Sequence, residues 1–191
     1  YGSDPLRWYM ITNSSPWDNL KFDTDGVMEV TRKFFGTLHN TYKFFAPYAN
    51  LDGFTYQEAD VPMSKRPEID RWILSELNSL IKNVDMCYAD YEPTKAGRLI
   101  NDFVNDNLSN WYVRLCRKRF WGTGYTEDKL AAYQTLYVCL ETVAKLMAPI
   151  APFYADKLYM DLIATTGRDH VASVHLADLP VLSLIHISEP T

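Results

Sequence analysis

The 191-residue sequence contains no long apolar run, since no stretch approaches the roughly 18 consecutive apolar residues that a membrane-spanning helix needs. It also lacks the N-terminal pattern of a secretory signal peptide. Its three cysteines, Cys87, Cys116 and Cys139, are isolated and form no CxxC pair. This argues against a disulfide framework or a zinc site and is typical of a reducing compartment. We therefore expect a cytoplasmic protein whose cysteines are small core residues.

The short motifs of common active sites are also absent. The sequence has no glycine-rich phosphate loop and no HExxH, GxSxG or HIGH-type tetrapeptide. Met63 to Arg66, MSKR, is similar to the lysine-containing ATP loop of class I aminoacyl-tRNA synthetases. Pro62 stands where that loop has a lysine and Pro67 follows at once, so we interpret MSKR as a linker that leads into a helix. We predict no catalytic residue and no metal ligand.

The sequence has few basic residues relative to acidic ones, 19 against 24, and its net charge is -5. The chain is therefore not a general nucleic-acid-binding protein, and any contact with a polyanion must be confined to a local basic patch. Hydrophobic residues make up 47% of the sequence and charged residues 23%, which is typical of a protein that folds around a core.

Apolar residues recur at intervals of three and four along most of the chain, which predicts amphipathic helices. Delimited by proline, glycine and capping residues, the predicted helices cover residues 3–12, 26–46, 67–88, 93–121, 126–147 and 153–163. We expect Pro47 to end the second helix, residues 50–66 to form a linker, and residues 171–176 to be a weak strand candidate. The sequence thus predicts an all-α fold, an antiparallel helical bundle.

The segment Asp106 to Trp121, DNLSNWYVRLCRKRFW, concentrates four cations, and no carboxylate follows Asp106 until Glu127. We projected it as an α-helix that advances about 100° per residue. The projection predicts a core face formed by Val104, Leu108, Trp111 and Leu115. It predicts a neighbouring polar face formed by Asn107, Asn110, Arg114, Arg117 and Trp121, with Lys118 at its edge.

This polar face has two interpretations. Guanidinium groups, amides and an aromatic ring are the groups with which proteins bind phosphates, base edges and unstacked bases of RNA. The same cations also suit a solvated helix end, because they interact favourably with the helix dipole. On composition alone, the solvated helix end is the preferred interpretation.

Four segments of the sequence resemble a known family, and they occur in that family's order. They read YGSDPLRWYM, RPEIDRWILSELNSLI, YEPTKAGRLINDFVNDNLSNWYVRLCRKRFW and LMAPIAPFYADKLY. Together they resemble the C-terminal part of the isoleucyl-tRNA synthetase family, which belongs to class I. The resemblance covers nearly all of residues 1–181, and its most specific segment is DNLSNWYVRLCRKRFW.

The resemblance implies a division of the chain into three parts. Residues 1–25 would be the end of the catalytic domain and its stem-contact region, with Trp8 and Tyr9 exposed. Residues 26–181 would be the anticodon-binding helical bundle. Residues 182–191 include LSLIHISEPT, which is similar residue for residue to the translation of a sequencing adapter, and we interpret them as a non-native tail.

The intact family member joins isoleucine to its tRNA using ATP and Mg²⁺, and this part is expected to bind tRNA around the anticodon stem and loop. It should need no cofactor and should be inactive alone. Its expected partners are the isoleucine tRNA and the catalytic and editing domains of the same chain, with no DNA and no membrane.

The resemblance also implies roles for the basic segment. Phosphate contacts are expected from Arg114, Arg117, Lys118 and Arg119, base-edge contacts from Asn107 and Asn110, and stacking from Trp121. The alternative function is a helical scaffold module that binds a protein partner through the same basic and aromatic face. A steep fall of affinity with salt would favour RNA over such a partner.

Overall fold

A computed structural model describes residues 1–181 of the chain, and within them it contains helices and no strand. The α-helices are α1 Ser3–Asn13, α2 Thr24–Val30, α3 Gly36–Leu51, α4 Glu68–Ala89, α5 Pro93–Asp102, α6 Arg114–Trp121, α7 Glu127–Met147 and α8 Pro152–Thr166. Two π-helical segments, Thr31–Phe35 and Phe103–Val113, join α2 to α3 and α5 to α6 without a break. Short 3₁₀ turns occupy Met63–Lys65 and Val174–Leu176. The predicted all-α fold is confirmed, and the predicted tail at 182–191 lies outside the described residues.

Local sequence explains where most of these helices begin and end. Pro93 and Pro152 occupy the first turns of α5 and α8, where the missing amide hydrogen costs no hydrogen bond. Thr126 caps α7, since its Oγ1 accepts a hydrogen bond from the Lys129 amide at 3.2 Å. Gly167 follows α8 with a φ of 60°, a conformation that favours glycine.

Two local predictions were wrong. Helix α3 continues through Pro47 to Leu51, because its last turn is anchored: the Phe54 amide donates to the Ala49 carbonyl at 2.8 Å, and Phe54 is buried. The strand candidate forms the 3₁₀ turn Val174–Leu176 instead. Ser173 Oγ and the Val174 amide both donate to Asp156 Oδ1, at 2.7 and 2.8 Å, so Asp156 of α8 fixes this turn.

The MSKR segment belongs to the linker that leads into α4, as predicted. Met63–Lys65 forms a 3₁₀ turn two residues before α4. Arg66 is buried and donates to the Val61 carbonyl at 2.9 Å and to Thr135 Oγ1 at 2.8 Å. These bonds tie the linker to α7, so Arg66 has a structural explanation.

The helix pair α5–α6, with its π-helical connection, runs antiparallel to α4 and packs against α7. We call this continuous element, residues 93–121, the long helix. A five-residue connection, 122–126, reverses the chain into α7. Beside it, Asp52 pairs with Lys129 and accepts a hydrogen bond from Tyr133, which fixes the end of α3 on α7. The core between these helices is rich in aromatic rings, with Phe54 stacked on Tyr133 at 5.3 Å between centroids.

Helix α1 packs onto the bundle, so the expected exposure of Trp8 and Tyr9 was wrong. Trp8 stacks on Phe34 with 4.2 Å between ring centroids and is 1% exposed, and Tyr9 is 4% exposed. Thr94 of α5 donates to the Ile11 carbonyl at 2.7 Å. Helix α1 therefore shares its core with the bundle. None of the helices within residues 1–181 combines the length and the apolar character needed to cross a membrane.

Candidate RNA-binding surface

The long helix buries every fourth residue over seven positions. None of these side chains is more than 1% exposed: Ala96, Ile100, Val104, Leu108, Tyr112, Cys116 and Phe120. In a regular α-helix each step of four residues would turn this buried row by about 40°. The π-helical segment Phe103–Val113 forms wider turns, with bonds between residues i and i+5, so each residue advances by less than 100°. The wider turns keep the buried row on the side of the core.

The same geometry explains an error in the helical projection. Trp111 and Leu115 were predicted to lie in the core, but each is 57% exposed. The projection assumed α-helical turns throughout, and its error accumulated along the π-helical segment. Tyr112, Cys116 and Phe120 are the buried residues at this end of the helix.

A second row, also at intervals of four, lies along the contact with α4. We call it the seam row, and it consists of Asn107, Trp111, Leu115 and Arg119. Asn107 Nδ2 donates to Glu76 Oε2 at 3.0 Å, and the Trp111 ring meets Trp72 edge-on at 6.5 Å between centroids.

Arg119, at the end of the seam row, is bound internally. Its Nη1 and Nη2 donate to both carboxylate oxygens of Asp70 at 2.6 and 2.9 Å, and its Nε and Nη2 donate to Asp128 at 2.9 Å. Tyr112 donates to the same Asp70, whose side chain is fully buried. Burial opposes the charge of Arg119, but the two carboxylates outweigh it and raise the pKa of Arg119 above its ordinary value.

The prediction that Arg119 contacts phosphates therefore needs correction. Its side chain is 15% exposed, and its guanidinium group joins α4, α6 and α7, because Asp70 lies in α4 and Asp128 in α7. The two aspartates already take up its hydrogen-bonding directions. The helical projection could not show this arrangement, since Asp70 and Asp128 lie outside the projected segment, 49 and 9 residues from Arg119.

A third row faces solvent, and we call it the outer row. It consists of Asp106, Asn110, Arg114 and Lys118, all exposed. Arg117 and the 55% exposed Trp121 flank it. Within residues 1–181, no carboxylate forms an ion pair with Arg114, Arg117 or Lys118. Three cations on the surface of an acidic chain are thus available to an anionic ligand.

The chain matches the family model described as the anticodon-binding domain of tRNA ligase over residues 70–189. It belongs to this family. The matched range contains all but the first two residues of α4, together with the long helix, α7 and α8, and therefore all three rows.

Close relatives are isoleucine–tRNA ligases. The proteins of that name from Bacteroides fragilis YCH46 and Bacteroides thetaiotaomicron are 81% and 79% identical over 180 residues, which is 94% of this chain. The one from Dehalococcoides mccartyi CBDB1 is 49% identical over 189 residues, or 99% of this chain. The chain spans about a sixth of the length of these relatives, 16% to 18%.

The predicted site residues thus fall into three groups according to where they lie on the long helix. Asn110, Arg114 and Lys118 lie together in the outer row, with Arg117 and Trp121 beside it. Asn107 and Arg119 face α4. Sequence reasoning missed three residues at the seam, which are Trp72, Glu76 and the exposed Trp111. The apolar residues spaced by four from Ala96 to Phe120 are the sequence pattern that could have shown that Trp111 does not lie in the core.

Proposed function

We propose that this chain is the tRNA-binding part of an isoleucine–tRNA ligase and that its outer row holds the anticodon stem and loop. The observation that carries the proposal is the group of three exposed cations, Arg114, Arg117 and Lys118, none paired with a carboxylate of the described residues. Guanidinium groups suit this role because their planar fork can bind two phosphate oxygens at once.

The neighbouring side chains supply contacts other than charge. Asn110 is exposed between Asp106 and Arg114 and can hydrogen-bond to a base edge. Trp121, 55% exposed at the end of α6, can stack on an unpaired base. Asn107 is half-buried and contacts RNA from the seam. Arg119 has no direct RNA contact in this proposal.

For the intact protein, the proposal includes the activity named in its relatives, the joining of isoleucine to tRNA. That reaction consumes ATP with Mg²⁺, and its catalytic and editing domains are partners of this part within the same chain. We propose a cytoplasmic location, where tRNA is used. Residues 1–25 would lead from the catalytic domain, and residues 26–181 would form the anticodon-binding bundle.

A protein partner is the second candidate, because Trp111, Leu115 and Trp121 are apolar and exposed. The salt dependence of binding affinity distinguishes RNA from a protein partner. RNA binding releases counterions, so affinity falls steeply as salt rises, whereas a contact dominated by aromatic side chains responds weakly.

The proposal is tested with the double variant Arg114→Glu/Arg117→Glu. The matched control is Lys43→Glu/Lys82→Glu, which changes the net charge equally at exposed positions away from the outer row. Binding of a labelled isoleucine tRNA anticodon stem-loop is measured by fluorescence anisotropy at about five salt concentrations between 50 and 200 mM. Phosphate contacts dominate affinity over this range.

We expect the outer-row variant to lose at least about tenfold in affinity and to lower the slope of log affinity against log salt by about 2, since each phosphate contact contributes roughly 1. The control variant should retain the slope of the unmodified chain. Equal losses in the two variants would show only a general charge effect and would refute the proposed surface.

A further inference from the structure

Trp111 presents an exposed aromatic ring that is in contact with a second ring. Trp111 is 57% exposed, and Trp72 of α4 meets it in a T-shaped arrangement, with 6.5 Å between ring centroids and 64° between ring planes. Edge-to-face contacts of this kind favour a defined ring geometry. A flat ring that is both exposed and held in place is suited to stacking with another flat group.

One turn away lies a polar pair that offers hydrogen-bond acceptors. Asn107 precedes Trp111 by four residues and Glu76 follows Trp72 by four, so the two pairs are neighbours across the seam. Asn107 Nδ2 donates to Glu76 Oε2 at 3.0 Å, which fixes the amide orientation. The carboxylate oxygens of Glu76 can accept hydrogen bonds, and Asn107 Oδ1 accepts no hydrogen bond from the described residues. Both side chains are partly exposed.

The charges around this position indicate how a nucleotide would lie. Glu76 repels phosphate, whereas Arg114, three residues after Trp111, attracts it. A nucleotide at the seam would therefore place its phosphate over the outer row and turn its base inward, toward Trp111. A single strand with an unstacked base satisfies this arrangement, and a continuous duplex does not.

We propose that the seam is a base-reading site, in which one unstacked RNA base stacks on Trp111 and donates hydrogen bonds to Glu76 and Asn107. This rests on the proposed tRNA binding and adds a specificity. Adenine, cytosine and guanine each carry an exocyclic amino group that can donate to these acceptors. Uracil offers a single imino hydrogen between two carbonyl oxygens, which the carboxylate repels. The site therefore selects an amino-bearing base over uracil.

The test uses a set of anticodon stem-loops, each with one loop base lacking its amino group. Purine riboside replaces adenosine, inosine replaces guanosine, and 2-pyrimidinone riboside replaces cytidine. The proteins are the unmodified chain, Glu76→Ala/Asn107→Ala, which removes both acceptors, and Trp111→Ala. Trp17→Ala is the control, because Trp17 is 72% exposed in the loop after α1. Circular dichroism melting establishes that each variant is folded, and Trp111→Phe keeps a ring if Trp111→Ala does not fold.

We expect one modified stem-loop to bind the unmodified chain about tenfold or more weakly than its parent. The Glu76→Ala/Asn107→Ala variant should bind this modified stem-loop and its parent equally well, because it has lost both acceptors. Trp111→Ala should weaken binding of the parent stem-loop by at least about fivefold, with most of this recovered in Trp111→Phe and no loss in Trp17→Ala.

Two other results are distinguishable. If all modified stem-loops bind like their parents while Arg114→Glu/Arg117→Glu still loses affinity, the base-reading site is wrong and the proposed function stands. If the unmodified chain shows no salt-dependent affinity for any stem-loop, the proposed function and the site both fail.

Discussion

Replacement of Arg119 by methionine is the most direct test of how the rows of the long helix are held. Methionine keeps much of the side-chain volume and removes the charge. The loss leaves the carboxylate of Asp70 fully buried with only the Tyr112 hydroxyl as a hydrogen-bond donor among its observed contacts. Burial, with the charge of Asp70 next, already raises the pKa of Tyr112 well above its ordinary value, so this hydroxyl cannot replace a cation.

The expected magnitude follows from the two carboxylates that Arg119 contacts. The side chain of Asp128 is 51% exposed, so its pair with Arg119 contributes at most about 1 kcal/mol. Asp70 is fully buried, and removing the partner of a buried charge costs about 3–5 kcal/mol. For a chain of this length that loss lowers Tm by roughly 6–20 °C. The variant Asp128→Asn should lose less than about 1 kcal/mol.

Urea unfolding followed by circular dichroism measures both variants, and a double variant supplies the decisive control. Arg119→Met/Asp70→Asn removes both charges, so it should recover much of the stability that Arg119→Met loses. At a temperature where Arg119→Met is folded, we expect its affinity for the anticodon stem-loop to stay within about threefold of the unmodified chain, since it makes no phosphate contact. A stability loss no larger than that of Asp128→Asn, or a salt slope lowered by about 1, would refute the internal role.

Two further changes test the packing elsewhere. Burial raises the pKa of Asp52, but hydrogen bonds to Lys129 and to a tyrosine outweigh it and set this pKa below its ordinary value. The stability that follows from this lowered pKa is present above the unfolded-state pKa and is lost as pH falls through the folded-state pKa. Asp52→Asn should therefore flatten the acid side of a plot of Tm against pH. An unchanged acid side would contradict this prediction. Gly97→Ala should lower the free energy of unfolding by about 1–3 kcal/mol, because its Cβ would lie 2.6 Å from Thr12 Cγ2 of α1. The control Gly36→Ala should not lower the free energy of unfolding measured with urea, since its Cβ would meet no atom closer than 3.4 Å. Equal effects of the two changes would show that α1 does not pack closely against Gly97.

The sequence predicted the helices well where local chemistry determines their ends. Pro93 and Thr126 mark boundaries that the structure confirms within a residue or two, because a first-turn proline and a capping hydroxyl act within a single turn. Pro47 was misleading because burial of Phe54 and the hydrogen bond that its amide donates to Ala49 outweigh the local preference of proline to end a helix.

The arrangement of the candidate surface was less accessible to sequence reasoning. The basic segment was found from its composition, and Arg114 and Lys118 are exposed as expected. Trp111 was assigned to the core because a projection with a fixed angle cannot represent a π-helical segment. The role of Arg119 depends on Asp70, which lies 49 residues earlier in the chain and contacts it only after α4 and the long helix have packed.

The wide turns of Phe103–Val113 also determine how many side chains one ligand strand can reach. Lys118 follows Asp106 by twelve positions, a distance of at most about 18 Å along the axis. In a regular α-helix, three steps of four residues would carry the last side chain about 120° around the axis from the first. The π-helical turns reduce this rotation, so the exposed side chains form a nearly straight line that a single polynucleotide strand can follow. Deleting residues from this segment would therefore misalign the line even if every cation were kept.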